Sequence, residues 1–252
     1  MRKRFIGVWV AVVFLSALFI GGCGGSNQDG SNAAQTAPAA TAAADKGSTT
    51  HRVSAAKKAA KYDAAVTVGD KTYFFSGDSY WRYSVSGDAV ENGYPKKIAA
   101  GWKGVWSDGV DAVLNDGNGK LYFFRGNQYI RYDIKNDTMD AGYPKPIAGN
   151  WKGVWPDGID AAVDNGKGKV YFFRGDQYIR YDIKNDAADS GYPKAIGNGW
   201  PGVWKDGFST VFRWPNGKYY FFKDNEYIRY DIANDSADSG FPKRISDSWK
   251  GL

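Results

Sequence analysis

The sequence predicts an all-β fold, a propeller of four sheets set around one axis, and three observations carry that expectation. Tyr-Phe-Phe begins at Tyr73, Tyr122, Tyr171 and Tyr220, three successive steps of 49 residues. A tryptophan keeps the same interval at Trp102, Trp151, Trp200 and Trp249. Between these markers lie short β-branched and aromatic runs divided by Gly, Asn and Asp turns, the pattern of antiparallel strands joined by hairpins. Self-similarity at such a period means units that stack or radiate, because one unit alone cannot bury its apolar face. Three or four antiparallel strands per unit, repeated radially, make a propeller blade.

The blades are expected at about 62–109, 110–158, 159–207 and 208–252. The first opens at Asp63-Ala64-Ala65-Val66, turns at Gly69-Asp70 and runs on through Tyr73-Phe74-Phe75. Gly77 then turns the chain into Tyr80-Trp81-Arg82-Tyr83. The second repeats this from Asp111 through Tyr122-Phe123-Phe124 to Tyr129-Ile130-Arg131-Tyr132, and the third from Asp160 to Tyr178-Ile179-Arg180-Tyr181. The fourth begins at Ser209 and reaches Tyr227-Ile228-Arg229-Tyr230. With side chains alternating at a period of two, Tyr129 and Arg131 share one face and Ile130 and Tyr132 the other. Both faces are semi-apolar, as a sheet stacked between neighbours requires. Each unit then passes through Gly-Tyr-Pro or Gly-Phe-Pro, a short outer strand or single helical turn, and its tryptophan.

Ahead of the repeats, Arg2-Lys3-Arg4 and the apolar run Phe5–Ile20 have the form of a secretory signal. Sixteen residues rise about 24 Å as a helix, short of the roughly 20 residues that span a bilayer comfortably. The run ends at Ile20-Gly21-Gly22-Cys23, which resembles a bacterial lipobox. That resemblance implies a signal peptide over 1–22, a lipidated Cys23 as mature N-terminus, and a protein exported and anchored to the bacterial cell envelope or surface. Cys23 is the sole cysteine, so it has no intramolecular disulfide partner. Residues 23–61 then form a linker rich in Ala, Gly, Ser and Thr, too poor in apolar surface to offset its own ordering.

Charge separates in the same way. The chain carries a formal +6, yet the repeats hold 25 Lys and Arg against 25 Asp and Glu, the excess lying in the leader and linker. A nucleic-acid binder concentrates positive charge on its folded domain, so no nucleic-acid partner is expected. Catalysis fares no better. The only histidine is His51, in the linker, and without a second histidine or cysteine in the repeats neither a Ser/His/Asp nor a Cys/His arrangement can be assembled. The same shortage excludes zinc sites rich in His or Cys. The chain is expected not to be an enzyme.

Asp-Ala-Ala at the first strand, Tyr-Phe-Phe at the second, Tyr80-Trp81-Arg82-Tyr83 at the third and Gly-Tyr-Pro before the connector together resemble the hemopexin-like repeat family. The resemblance covers 62–252 and implies a four-bladed β-propeller. It also implies an axial tunnel in which main-chain carbonyls hold a cation such as calcium, here at Asp63, Asp111, Asp160 and Ser209. A carbonyl ring tolerates the change to serine, because hard backbone oxygens are the ligands; alternatively, each Asp simply caps its strand. Some members bind haem or polyamines, so a tunnel ligand of that kind is the alternative to a protein or glycan partner, with a purely structural envelope role as a third. Many members tie the first blade to the last with a disulfide, which this chain cannot make. Closure is therefore expected to rest on Asp63–Val66 against blade four and on Trp249.

A residue that recurs in every blade belongs to the scaffold, so Arg82, Arg131, Arg180 and Arg229 are expected to be clamped by carboxylates or stacked on tyrosine. Departures from the repeat are more informative. Trp81 replaces isoleucine, and Phe212, Arg213 and Trp214 replace a polar hairpin. Aromatics and arginine at a hairpin tip suit a partner contact, and they equally suit the seam where blades one and four meet.

Overall fold

Each repeat folds into one five-stranded antiparallel sheet, in a computed structural model that describes residues 60–252. In the first blade these strands are β1 (Ala64–Val68), β2 (Lys71–Ser76), β3 (Ser79–Ser84), β4 (Ala89–Val90) and β5 (Lys96–Lys97). The order runs β1-β2-β3-β4, and β5 also pairs with β3, so the outer edge consists of two short pieces. One helical turn, Ile98–Gly101, follows in blade one, where blades three and four have 3-10 turns. The Gly-Tyr-Pro segment thus leads into both of the expected features, a short strand and then a turn. The leader, Cys23 and nearly all of the linker with His51 lie outside the described residues.

The Phe-Phe doublet shows why the units need one another. Adjacent residues of a strand point to opposite faces, so the two rings of each doublet reach into different seams. Phe75 meets Phe123, Phe124 meets Phe172, Phe173 meets Phe221, and Phe222 meets Phe74, with centroids 5.6–6.1 Å apart. Four doublets close one aromatic circuit. Each periodic tryptophan fills the seam ahead of it: Trp102 lies 5.3 Å from both Phe123 and Tyr132 of the next blade. Its Nε1, like those of the other three, is buried without a nitrogen or oxygen acceptor. Each of the four indoles stands at 82–88° to a tyrosine ring of its own blade, an arrangement in which a ring face can substitute for an oxygen.

The last seam is built like the others. Trp249 packs tilted against Tyr83 at 5.2 Å and edge-on to Phe74 at 5.8 Å, and the Val90 amide donates to the Lys250 carbonyl at 2.9 Å. Equivalent bonds join Met139 to Lys103, Ala188 to Lys152 and Ala237 to Pro201. Tyr62 and Ala65 are buried in the same cluster as Phe212, Phe222 and Trp249. Two departures from the repeat find their reason here. Trp81 stands edge-on to Tyr62 at 5.4 Å, and Trp214 edge-on to Trp249 at 5.0 Å.

The recurring arginines are clamped as expected. Arg131 Nε donates to Asp140 at 2.5 Å and its guanidinium lies 5.3 Å from the centre of Tyr143. Lys120 bridges Asp133 and Asp140 beside it, both at 2.9 Å. Blades three and four repeat this with Lys169 and Lys218. Asp137, at φ +51°, accepts from the Tyr132 hydroxyl at 2.6 Å, so the turn carboxylates also tie down the third strand.

Candidate binding site at the axial mouth

The innermost strands, β1, β6 (Ala112–Asn115), β11 (Ala161–Asp164) and β16 (Thr210–Arg213), surround the axis, each against the next. Alanines at 64, 65, 112, 161 and 162 are almost fully buried, because four backbones converging at one axis leave little room.

At the end where the strands begin, the carboxylates of Asp63, Asp111 and Asp160 accept from the amides of Gly77, Gly126 and Gly175 at 2.7–2.8 Å. Ser209 Oγ donates to the Phe222 carbonyl at 2.8 Å. These side chains fasten each strand start to its own blade. A cation at this end would therefore be held by main-chain oxygens of the four residues, a hard donor set that fits calcium. Among the described residues there is no group of three or more His, Cys, Asp or Glu side chains placed to hold a metal.

The opposite end differs in kind. Four residues onward, the same register reads Thr67, Asn115, Asp164 and Arg213, four different side chains at equivalent positions. They rim a cavity of about 240 Å³, with Trp214 and Pro215 on one wall. Asn115 Nδ2 donates to the Thr67 carbonyl at 2.8 Å, locking blade two to blade one. The Tyr219 hydroxyl donates to the Asp164 carbonyl at 3.0 Å, locking blade four to blade three. Asp164 Oδ2 accepts from Gly166 N at 2.7 Å and lies 3.5 Å from Arg213 Nη1. Burial pushes the Asp164 carboxyl above its ordinary value, and the Gly166 amide and Arg213 only partly offset this. The φ of +67° at Gly166 favours glycine, and a Cβ there would fall 2.1 Å from Arg213 Nη1 and push the guanidinium aside.

Among the sequence candidates, Phe212 is corrected. It is 2% exposed and packs on Phe74 and Trp249, so it serves mainly the closing seam and only backs the cavity wall. Trp81 and Trp214 are half-buried in that seam as well, although Trp214 also borders the cavity. Only Arg213 of the four remains outward, with its side chain 41% exposed. The sequence comparison passed over Thr67, Asn115 and Asp164. Their signal was the register itself, since the four copies carry four different residues at this position of the innermost strand.

A four-bladed propeller with an axial cavity defines a non-redundant scaffold around one asymmetric mouth. The hemopexin family model matches residues 63–107, 110–156, 159–205 and 208–252, and the chain belongs to that family. Over 52 residues it is 48% identical to human neutrophil collagenase, and over 54 residues 50% identical to horse (Equus caballus) interstitial collagenase; each match takes in 21% of this chain. The aligned stretch spans 11% of those relatives' length. Among solved structures, a seed albumin from Lathyrus sativus superposes with a TM-score of 0.65 at 25% identity, over 75% of this chain and 94% of that one. A plant albumin from Cicer arietinum showing hemagglutination gives 0.65 at 26%, over 75% and 95%. A plant lectin with two metal-binding sites, also from Cicer arietinum, matches equally well.

Proposed function

We propose that this chain is a non-catalytic binding module, tethered to the bacterial envelope through lipid on Cys23, that offers one face of its propeller to a protein or glycan partner. The observation that carries this reading is the mouth rimmed by Thr67, Asn115, Asp164 and Arg213. The strand starts that face the other end of the axis are nearly uniform, three aspartates and a serine, whereas this ring has four different side chains at one register and lines a cavity. The described chain enters the propeller at Tyr62, just before β1, and the mouth lies at the other end of that strand. The hemagglutination of the Cicer arietinum albumin and the lectin character of its relative favour a glycan over the other partners. A calcium ion held by the carbonyls of Asp63, Asp111, Asp160 and Ser209 would serve as a fastener at the far end of the axis.

Two measurements test the reading. Purified chain applied to a glycan array and to erythrocytes should show saturable binding that Arg213→Ala and Asp164→Ala weaken; binding to neither surface argues against a glycan-directed module. Mass spectrometry of the protein recovered from its own cells should show a diacylglyceryl adduct on Cys23. A free Cys23 thiol, or a mature N-terminus elsewhere, removes the anchor.

A further inference from the structure

We infer that the axial mouth takes one carboxylated sugar residue, a uronate, with Arg213 as its carboxylate receptor. This rests on the glycan-directed reading of the same mouth and specifies the chemistry of the unit bound.

Arginine usage across the described residues points there. Arg82, Arg131, Arg180 and Arg229 are each hydrogen-bonded to a blade carboxylate, and Arg125 and Arg174 form two-pronged bonds with Asp108 and Asp157. Arg213 differs. Its ion-pair partner among the described residues is Asp164, at 3.5 Å, against 2.5 Å for the Arg131 and Arg180 pairs. A guanidinium presents five donors in a planar fork that matches a carboxylate, so at Arg213, whose one long contact is to Asp164, most of this capacity is open inside a cavity. The fork lies over Gly166, where a Cβ would fall 2.1 Å from Nη1 and displace it.

The remaining rim selects a sugar over a simple anion. Asp164 offsets the charge of Arg213, which weakens the site for a bare anion and leaves the directional fork as the source of affinity. Its carboxylate can accept from vicinal hydroxyls, which a uronate carries and acetate lacks. Trp214 and Pro215 form an apolar wall of a kind that suits the C–H face of a sugar ring. The cavity, at about 240 Å³, is large enough for one such ring and too small for a long segment of chain.

Calorimetric titration of the full chain with D-glucuronate, D-glucose, acetate and glycine tests this. Glucuronate should bind saturably and the other three at least tenfold more weakly. Arg213→Lys, which keeps the charge and loses the fork, should lower glucuronate affinity about tenfold, the scale of a lost charge-assisted bond. Unchanged thermal unfolding would show that this variant is folded. Equal binding of acetate would overturn the proposal in favour of a plain anion site, and stronger binding of glycine in favour of a zwitterion site. If glucuronate fails while neutral glycans bind the array and Arg213→Lys leaves that binding intact, the uronate assignment is wrong and the glycan module stands. If nothing binds in either assay, both are wrong.

Discussion

Val90 donates its amide to the carbonyl of Lys250 at 2.9 Å, so a residue two positions before Leu252 closes the ring onto blade one, 160 residues earlier. No covalent link assists it. The contact is identical in kind to the bonds between consecutive blades, and the aromatic packing of Trp249 surrounds it. Closure is therefore an ordinary seam made between the two ends of the chain.

Trp249→Ala should accordingly destabilise the propeller by about 3–5 kcal/mol, the usual cost of deleting a large buried aromatic. Urea unfolding followed by tryptophan fluorescence gives the number. A loss below about 1 kcal/mol would mean that the seam closes without it.

Gly101 and Asn150 occupy equivalent positions before the periodic tryptophan and should respond unequally to substitution. A Cβ at Gly101 would lie 2.0 Å from the Tyr80 hydroxyl oxygen, and Gly199 meets Tyr178 in the same way. Asn150 is exposed and donates to the Pro146 carbonyl at 3.0 Å; there Tyr122 and Trp151 stand 5.4 Å apart, against 5.0 and 4.9 Å where glycine precedes the indole. Gly101→Ala is expected to cost about 1–3 kcal/mol through overpacking, and Asn150→Gly about 0.5 kcal/mol or less. Melting temperatures of the two variants, measured side by side, decide it.

Acid should weaken the fold through Asp133 and its copies. The hydrogen bond from Lys120, with the Asn136 amide, holds the Asp133 carboxyl down to about 2, and Lys169 and Lys218 lower Asp182 and Asp231 in the same direction. A depressed folded value means stability that is present above the ordinary value of 3.8 and is lost as pH falls through the folded one. Asp133→Asn should therefore lower the urea midpoint at neutral pH, and the gap to the parent protein should close between about pH 4 and pH 2. A gap independent of pH would rule out this ionisation as its cause.

Asp164 has the opposite sign. Its carboxyl is raised by burial, so its contribution favours the fold below the ordinary value of 3.8 and is withdrawn as pH rises through the higher folded value. Asp164→Asn is expected to match or exceed the parent's melting temperature at pH 7 and to lose any advantage near pH 3. A variant less stable at pH 7 would mean that the Arg213 contact outweighs the burial of the charge.

How legible these features were depended on whether they repeat. The strands, the hairpins, the clamped arginines and the seam-filling tryptophans each occur four times at a fixed interval, so their role could be read by alignment of the chain with itself. Blade-specific residues could not be resolved that way. Phe212 and Arg213 are adjacent and both depart from the repeat, yet the pleat sends one into the closing seam and the other over the cavity. Thr67, Asn115 and Asp164 look like ordinary ends of strands until the four ends are brought around one axis.

The amino-acid sequence by itself determined the number of blades, their strand order and the neutrality of the repeated region, because period and alternation are properties of the chain. It also determined that no disulfide closes the ring, since Cys23 has no companion. Tertiary structure alone decided which departures repair the seam and which face the solvent. The reason is geometric: Tyr62 meets Trp81, and Asp164 meets Arg213, only when radial packing brings together residues that are 19 and 49 positions apart.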